Sequence, residues 1–434
     1  MYKIEEEIIR YLFRFMVGEH FVDDVSRFVG YTSDTLCFAD YKVVIVPSDF
    51  FNEGVYGTVK TQPTLPLKNI EGIPFLFGSP NIEQIGDTIV VHADLLASAY
   101  FLLTRYEELI NTQRDKYGRF PGRESLPYRA GCIDRPIVDE YGKLIRKWLS
   151  QTGVEMSKNG ASIKKINLTN DVDVPFCCRT WKNVVRQILS GENITNVIRA
   201  KFDPLENDPY YTFPWIFQQN KILQEGVGEG CCESLLFFKS GGKSKQDKPL
   251  YDLKGKDITQ LFALCREQKA ILGLHSSYHS GIHPELITNE KKNLEEALGM
   301  AIKYNRHHFL TSREPKDMEF LIKAGITDDY TMGYADVAGF RLGTSLPVRF
   351  INPLTKCLTS LKLHPLIIMD CTLSEKIYMN LTAEKAEEYC LKLIRNIQNV
   401  NGELTLLWHN NYIVENDKGY LRDLYGKLIK KLIN

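Results

Sequence analysis

The chain contains the stretch Ala270-Ile-Leu-Gly-Leu-His-Ser-Ser-Tyr-His279, in which two histidines follow an aliphatic run. The run from Ala270 to Leu274 predicts a buried strand. If the chain turns helical after this strand, His275 and His279 share one helix face, where two ring nitrogens can bind a single divalent cation. Histidines with this spacing also occur as ordinary core residues, so the pair alone leaves both interpretations open.

An acidic cluster lies upstream, in Asn167-Leu-Thr-Asn-Asp-Val-Asp173. Here another β-type run ends in two carboxylates, Asp171 and Asp173. Carboxylates in such a position can simply cap a following helix, but active sites of α/β proteins also lie at the carboxyl ends of strands. Taken together, the two clusters predict a metal site with three protein ligands and an open position for water, with the spare carboxylate as a base.

The rest of the chain after about residue 160 alternates between strand and helix candidates, which predicts a mainly parallel sheet, either barrel-like or open. The segment of about residues 177–211 is longer than a crossover requires and predicts an insertion over one rim. The strand candidates are residues 163–168, 234–238, 270–274, 308–311, 331–334, 365–369 and 404–408, and the helix candidates are residues 214–225, 257–269, 289–304, 316–324 and 383–398.

The length of 434 residues suggests more than one domain. Residues 1–157 are expected to form a smaller α/β domain of unknown role, with strands at 42–46 and 88–91 and helices at 94–110 and 138–149. Residues 161–434 are expected to form the second domain. The Arg- and Gly-rich loop from Arg114 to Ser125 is interpreted as a solvated or interdomain surface, and phosphate or acidic-sugar binding is the alternative.

The composition excludes several classes of partner. Because 54 basic side chains balance 54 acidic ones, no net field attracts a polyanion, and nucleic acid is not an expected partner. No apolar run is long enough to predict a membrane span or a secretory leader. The ten cysteines form no CxxC pair, so we expect them to be reduced, in a cytoplasmic protein.

The clusters described above resemble motifs of the polysaccharide deacetylases of the NodB-homology type, also called carbohydrate esterase family 4. His275-Ser-Ser-Tyr-His279 matches the His-Ser/Thr-x-x-His motif of that family. Asp171-Val-Asp173 is similar to its acidic motif, which usually has adjacent aspartates. The resemblance spans about residues 161–434 and implies a distorted (β/α) barrel. It also implies that Asp171 is the general base and that Asp173, His275 and His279 are the metal ligands.

Three further motifs of the family have counterparts here. Leu406-Leu-Trp-His409 is similar to the motif that supplies the general acid, which implies that role for His409, and Asp370 corresponds to the aspartate that orients this histidine. Arg313 in Arg313-Glu-Pro315 is similar to the arginine that steadies the catalytic aspartate. The aromatic residue and glycine usual in that motif are missing here, so Arg341 is a rival for the same role. His307 and His308 are interpreted as structural residues at a strand start.

The resemblance implies a metal-dependent hydrolase that removes an acetyl group from an N-acetylated sugar. The expected cation is Zn²⁺, although Co²⁺, Ni²⁺ and Fe²⁺ accept the same ligands. A nucleotide- or lipid-linked sugar is the expected substrate. A decayed enzyme that only binds sugar and an Asp-x-Asp glycosyltransferase remain alternatives. The stretch around residues 93–108 also resembles the domain that precedes deacetylase-like domains in some bacterial proteins, which implies no activity.

Overall fold

The structure is a computed structural model, and it describes residues 4–18, 24–156, 160–189, 191, 193–228, 230–312, 315, 317–415 and 419–433. The residues up to 156 are called the N-terminal region below, and those from 160 onward the C-terminal region. Among the described residues, no helix is both long and apolar enough to cross a membrane.

The N-terminal region is built on a four-stranded sheet in the order β1-β2-β6-β5, in which only β5 runs antiparallel to its neighbour. Its strands are β1 (Val29–Tyr31), β2 (Val43–Ile45), β3 (Lys68–Ile70), β4 (Ile73–Phe75), β5 (Gly78–Ile85) and β6 (Thr88–Ala93), with β3 and β4 forming a separate hairpin. Its helices are α1 (Glu6–Val17), α2 (Leu95–Leu103), α3 (Glu107–Ile110), α4 (Leu126–Arg129) and α5 (Ile137–Gln151).

The single helix predicted for residues 94–110 is wrong, because the chain breaks between α2 and α3. Helix α2 begins where the Asp94 side chain accepts a hydrogen bond from the backbone N–H of Ala97. The break comes at Arg105, whose φ of 55° lies in the left-handed region. Arg105 is buried, and its guanidinium lies 3.3 Å from the Glu108 carboxylate, so a buried local ion pair accompanies the break in the helix.

The C-terminal region contains a nine-stranded sheet in the order β12-β13-β11-β10-β9-β8-β7-β15-β14. Its strands are β7 (Lys165–Val172), β8 (Cys232–Phe238), β9 (Ile271–Ser276), β10 (Tyr304–His307), β11 (Asp328–Met332), β12 (Val348–Asn352), β13 (Cys357–Pro365), β14 (Ile368–Met369) and β15 (Glu403–Leu407). Its helices are α6 (Trp181–Leu189), α7 (Ile194–Phe202), α8 (Phe213–Val227), α9 (Lys256–Glu267), α10 (Ile287–Leu298), α11 (Asp317–Lys323), α12 (Asp370–Ser374), α13 (Ala383–Val400) and α14 (Leu421–Ile433).

This sheet is parallel except for β12, which pairs antiparallel with β13. The mixed α/β class is therefore confirmed. The two end strands, β12 and β14, do not pair with each other in the described part of the chain, so the sheet is open. Since the neighbouring strands β10, β9, β8, β7, β15 and β14 are parallel, their carboxyl ends lie at one edge.

Strand β10 corrects two predictions, a helix extending to residue 304 and a strand beginning at residue 308. Helix α10 ends earlier, at Leu298, because Gly299 adopts a left-handed conformation with a φ of 70°. The chain then pairs with β9 from Asn305 to His307. As a result His308 follows the carboxyl end of a strand instead of starting one.

The two regions share one apolar core, which includes residues such as Leu102 and Val138 from the first and Leu342 from the second. Gly343 permits a close approach there, since a Cβ atom at this position would lie 2.9 Å from Leu102 Cδ1. In the same interface the Arg341 guanidinium donates two hydrogen bonds, of 3.0 and 2.9 Å, to the buried Glu108 carboxylate. The domain boundary expected near residues 157–161 stays a prediction.

Candidate active site

The carboxyl ends of four strands bring together most of the residues singled out from the sequence. Asp171 lies on β7 and Asp173 just after it, His275 lies near the end of β9, and His409 follows β15. These side chains line one cavity of about 370 Å³, together with His308, which follows β10. The Asp173 side chain is about one-fifth exposed, so the cavity is open to solvent.

Asp173, His275 and His308 form a group that could hold a metal ion, because one ligand atom from each lies within 4.8 Å of the others. The Oδ1 atom of Asp173 is 3.3 Å from His275 Nε2 and 3.2 Å from His308 Nε2. Both histidines are buried and Asp173 is about one-fifth exposed. A carboxylate with two imidazoles is a usual set of protein ligands for a catalytic metal.

Both imidazoles of this group are oriented by acceptors on their other nitrogen. His275 Nδ1 lies 2.9 Å from the Arg306 carbonyl oxygen, which can only accept a hydrogen bond. His308 Nδ1 lies 3.2 Å from Asp247 Oδ1. With the Nδ1 hydrogens held by these acceptors, each ring in its neutral form would present the lone pair of Nε2 toward Asp173 and a bound cation.

His279 lies elsewhere, although the sequence motif implies it as a ligand. His275 is on a strand and the next residues form a turn, so the helical face expected for the pair does not exist. The turn is fixed by Asp247, whose carboxylate accepts hydrogen bonds from the backbone N–H groups of Tyr278 and His279. The His279 ring packs against His283 and its Nδ1 faces Ser244, so among the described residues it does not join the Asp173 group.

Asp171 is held by Arg306, an arginine that belongs to neither of the two arginine motifs. The Arg306 guanidinium donates a 2.9 Å hydrogen bond to Asp171 Oδ1, and both side chains are buried. Arg306 also donates to Thr169 Oγ1 and to the Tyr330 carbonyl oxygen, which fixes its orientation. The other Asp171 oxygen, Oδ2, lies 3.6 Å from His275 Nε2 and so faces the candidate metal-binding group.

Neither arginine named from the sequence is seen to contact Asp171. Arg341 is bound to Glu108 and to the Gly333 carbonyl oxygen at the interface between the two regions. Arg313 lies outside the described residues. Arg306 therefore occupies the position beside the candidate base that the arginine motif was expected to supply.

His409 and Asp370 are in direct contact, as the family motifs implied. His409 Nδ1 lies 2.8 Å from Asp370 Oδ1, and the His409 backbone N–H donates to Asp370 Oδ2 at 2.6 Å. Burial lowers the pKa of His409, but the nearby carboxylates of Asp370, Asp173 and Asp171 outweigh it and raise the pKa to about 9. His409 Nε2 is 3.8 Å from Asp173 Oδ2, so it faces the same space as the candidate metal-binding group.

Two cations from other elements complete the wall of the cavity. Lys239 is buried after β8, and its ammonium lies 3.7 Å from Asp173 Oδ1. Burial raises the pKa of Asp173, but His308 and Lys239 outweigh it and hold the pKa well below its ordinary value.

Arg119 comes from the N-terminal region and donates a hydrogen bond to the carbonyl oxygen of Phe309, the residue after His308.

His308 and Arg306 are the site residues that sequence reasoning missed. Both belong to the stretch Asn305-Arg-His-His308, where β10 ends. The available signal was the same one that identified Asp171 and His275, namely polar residues at the end of a β-type run. The predicted strand at residues 308–311 hid this signal, because it placed Arg306 and His308 before or at the start of a strand.

The comparisons with known proteins found a family model and similar solved structures. Residues 2–153 match a family model described as a family of unknown function, DUF7033. No curated protein matches the chain. Among solved structures, the chain is similar to a crystal structure described as a "putative polysaccharide deacetylase" from Mycobacterium smegmatis, with 12% identity and a TM-score of 0.38 over 64% of this chain and 89% of that one.

The environment of the candidate ligand atoms is itself consistent with a bound metal ion. Within the described part of the chain, Asp173 Oδ1 and His275 Nε2 are buried and have no hydrogen-bond partner. Buried polar atoms without a partner are costly, and a bound cation would satisfy both at once. The two atoms belong to the same three-residue group, which also supplies a second imidazole nitrogen.

Proposed function

We propose that the protein is a metal-dependent hydrolase that removes the acetyl group from an N-acetylated sugar. The observation that supports it is the convergence of a metal-binding group, a carboxylate and an imidazole on one cavity. These three elements are what hydrolysis of an unactivated amide requires: an electrophile, a base for water and an acid for the leaving amine.

Asp173, His275 and His308 are the proposed ligands, so that His308 takes the place assigned to His279 from the sequence motif. A divalent cation held there would polarise the acetyl carbonyl and lower the pKa of a water molecule toward neutrality. Zinc is the expected ion, and cobalt, nickel and iron are compatible with the same ligands. The two nitrogen donors fit the Mg²⁺ or Mn²⁺ of an Asp-x-Asp glycosyltransferase less well.

Asp171 is the proposed general base. Its Oδ1 atom is bound to Arg306, while Oδ2 faces the metal-binding group and can take a proton from attacking water. Arg306 is fully buried and held by three acceptors, so it fixes the direction of the carboxylate. A base that is already oriented loses little entropy when the transition state forms.

His409 is the proposed general acid. Its raised pKa, about 9, keeps the imidazole protonated near neutral pH, and Asp370 holds the Nδ1–H. The Nε2–H then points into the cavity, where it can be donated to the departing sugar amine. Base and acid thus come from the neighbouring strands β7 and β15, and both side chains face the proposed ligands.

The first test is metal analysis of the purified protein together with an acetate-release screen on N-acetylated sugars and on their nucleotide- and lipid-linked forms. We expect about one divalent cation per chain, by the usual stoichiometry of such sites, and acetate release that a chelator abolishes and zinc restores. A protein that binds no divalent cation, or that binds it and releases acetate from none of these compounds, would contradict the proposal.

A further inference from the structure

The insertion after β7 forms a helical hairpin with a small core of its own. Trp181, at the start of α6, contacts Phe202, at the end of α7, with ring centroids 6.0 Å apart, so the two helices run antiparallel. The facing sides of the helices pack through the buried side chains of Val184 and Val197, with Ile188 and Ala200 partly buried beside them.

The hairpin also carries a second apolar surface, which is exposed. Its side chains recur at i, i+4 and i+8 along each helix, so on each helix they lie within an arc of about 80°. They are Trp181, Val185 and Leu189 on α6 and Ile194, Ile198 and Phe202 on α7. Their exposed fractions range from 39% at Ile198 to 82% at Leu189. Exposed apolar residues are ordinary when scattered, but six on adjoining helices mark an interaction surface.

The charge of the hairpin indicates the kind of partner. Residues 179–203 contain five basic and two acidic side chains, whereas the whole chain has a formal net charge of zero. Arg179 is ion-paired with Asp208 and Asp257, and Arg199 with Asp203, so the basic side chains left beside the exposed surface are Lys182, Arg186 and Lys201. Lys182 and Arg186 lie one helical turn apart on α6, beside the apolar arc and on its side away from the hairpin core. Lys201 lies 4.8 Å from the Trp181 ring centroid. Helices with Trp, Phe and Leu on one face and Lys or Arg at its border are typical of the membrane interface.

The hairpin is fixed to the rim of the candidate active site. Asn410, the residue after His409, donates hydrogen bonds to the carbonyl oxygens of Val174 and Tyr210, which lie at the two ends of the insertion. The Asp208 carboxylate accepts from the backbone N–H groups of Cys177 and Cys178. Because of these contacts the helices are anchored on the same side of the sheet as the cavity.

We propose that the exposed apolar surface of α6 and α7 docks on the anionic headgroup layer of a lipid bilayer. The apolar side chains would enter the boundary between headgroups and acyl chains, while the basic side chains bind phosphate groups. A second copy of this chain fits less well, since its hairpin would bring the same positive charges face to face. The inference does not depend on hydrolysis, although docking would place the cavity beside a lipid-linked substrate.

The test is co-sedimentation of the full chain with vesicles of phosphatidylcholine alone and of an equal mixture with phosphatidylglycerol. Leu189→Asp removes the most exposed apolar side chain of the surface, and Leu36→Asp is the matched control, since Leu36 is 88% exposed in the N-terminal region. We expect binding to the anionic vesicles that weakens with salt, and a loss of at least about tenfold in the partition coefficient for Leu189→Asp alone.

Equal thermal unfolding midpoints of both variants and the wild type would show that the substitutions leave the fold intact. Absence of wild-type binding to the anionic vesicles would overturn the inference, and so would equal binding of wild type and Leu189→Asp. Size-exclusion chromatography with light scattering tests whether a second copy of the chain binds this surface instead. If the wild type is a dimer that Leu189→Asp separates, the surface is a contact between copies and the membrane proposal is wrong.

Discussion

Replacing His308 with alanine should abolish tight metal binding, whereas replacing His279 should not. His308 Nε2 lies 3.2 Å from Asp173 Oδ1, inside the group of candidate ligand atoms. The His279 ring instead packs on His283, with centroids 4.8 Å apart. The two substitutions remove the same chemical group from positions 29 residues apart in the chain. They therefore separate the ligand set of the structure from that of the sequence motif.

The size of the effect follows from the role of each ring. Loss of a group that merely orients a ligand weakens metal binding by about 10- to 100-fold, so loss of the ligand itself should exceed about 100-fold. For His308→Ala we therefore expect a zinc dissociation constant at least about 100-fold higher than that of the wild type. For His279→Ala the change should stay within about threefold, because no outer contact to the ligands is removed.

The assay is a competition titration of zinc between the chelator-treated protein and a chromophoric indicator. Cobalt substitution gives a second measurement, since the visible absorption of a tetrahedral cobalt site should disappear in His308→Ala and persist in His279→Ala. If His279→Ala loses zinc and His308→Ala retains it, the ligand set proposed from the structure is wrong. Circular dichroism of both variants in the absence of metal controls for folding.

Three other variants test the neighbouring residues. Asp171→Asn should bind zinc normally but lower kcat by at least about 100-fold in acetate release, because only the base is lost, and full activity would exclude that role. Asp370→Asn removes the carboxylate that raises the pKa of His409 to about 9, so His409 should lose its proton at lower pH. The alkaline limb of the pH profile of kcat/KM should then shift to lower pH. An unchanged alkaline limb would show that His409 is not the acid. Arg119→Met removes a hydrogen bond to the carbonyl oxygen of Phe309 and should weaken zinc binding, with partial recovery in Arg119→Lys, whereas wild-type affinity would mean that the loop does not position His308.

The sequence predicted those parts of the site that depend on local pattern. Apolar runs correctly placed Asp171, His275 and His409 at strand ends, because parallel strands must bury both faces. Asp370 was located by the same signal, and the structure places it against His409. The parallel sheet itself followed from the alternation of strands and helices.

Most of what the sequence did not predict depends on contacts between distant residues. His279 is turned away because Asp247, about 30 residues earlier, binds the backbone of that turn. Arg306 could not be recognised as a buried partner of Asp171, since an arginine within a strand is usually assigned to the solvent face. His308 was assigned to the wrong end of a strand because the left-handed Gly299 ends α10 early. The contacts of His279 and Arg306 are not encoded by local propensity, whereas the glycine that ends α10 is a local signal.

The buried ion pair of Glu108 and Arg341 limits which truncations of the protein can fold. A fragment that begins near residue 160 would keep the guanidinium but lose its carboxylate, and breaking a buried ion pair in this way costs about 3–5 kcal/mol. The same truncation would remove the N-terminal residues of the shared core and expose the apolar side chains that they cover. A fragment trimmed to the C-terminal region should therefore aggregate on expression, whereas the full chain stays soluble under the same conditions.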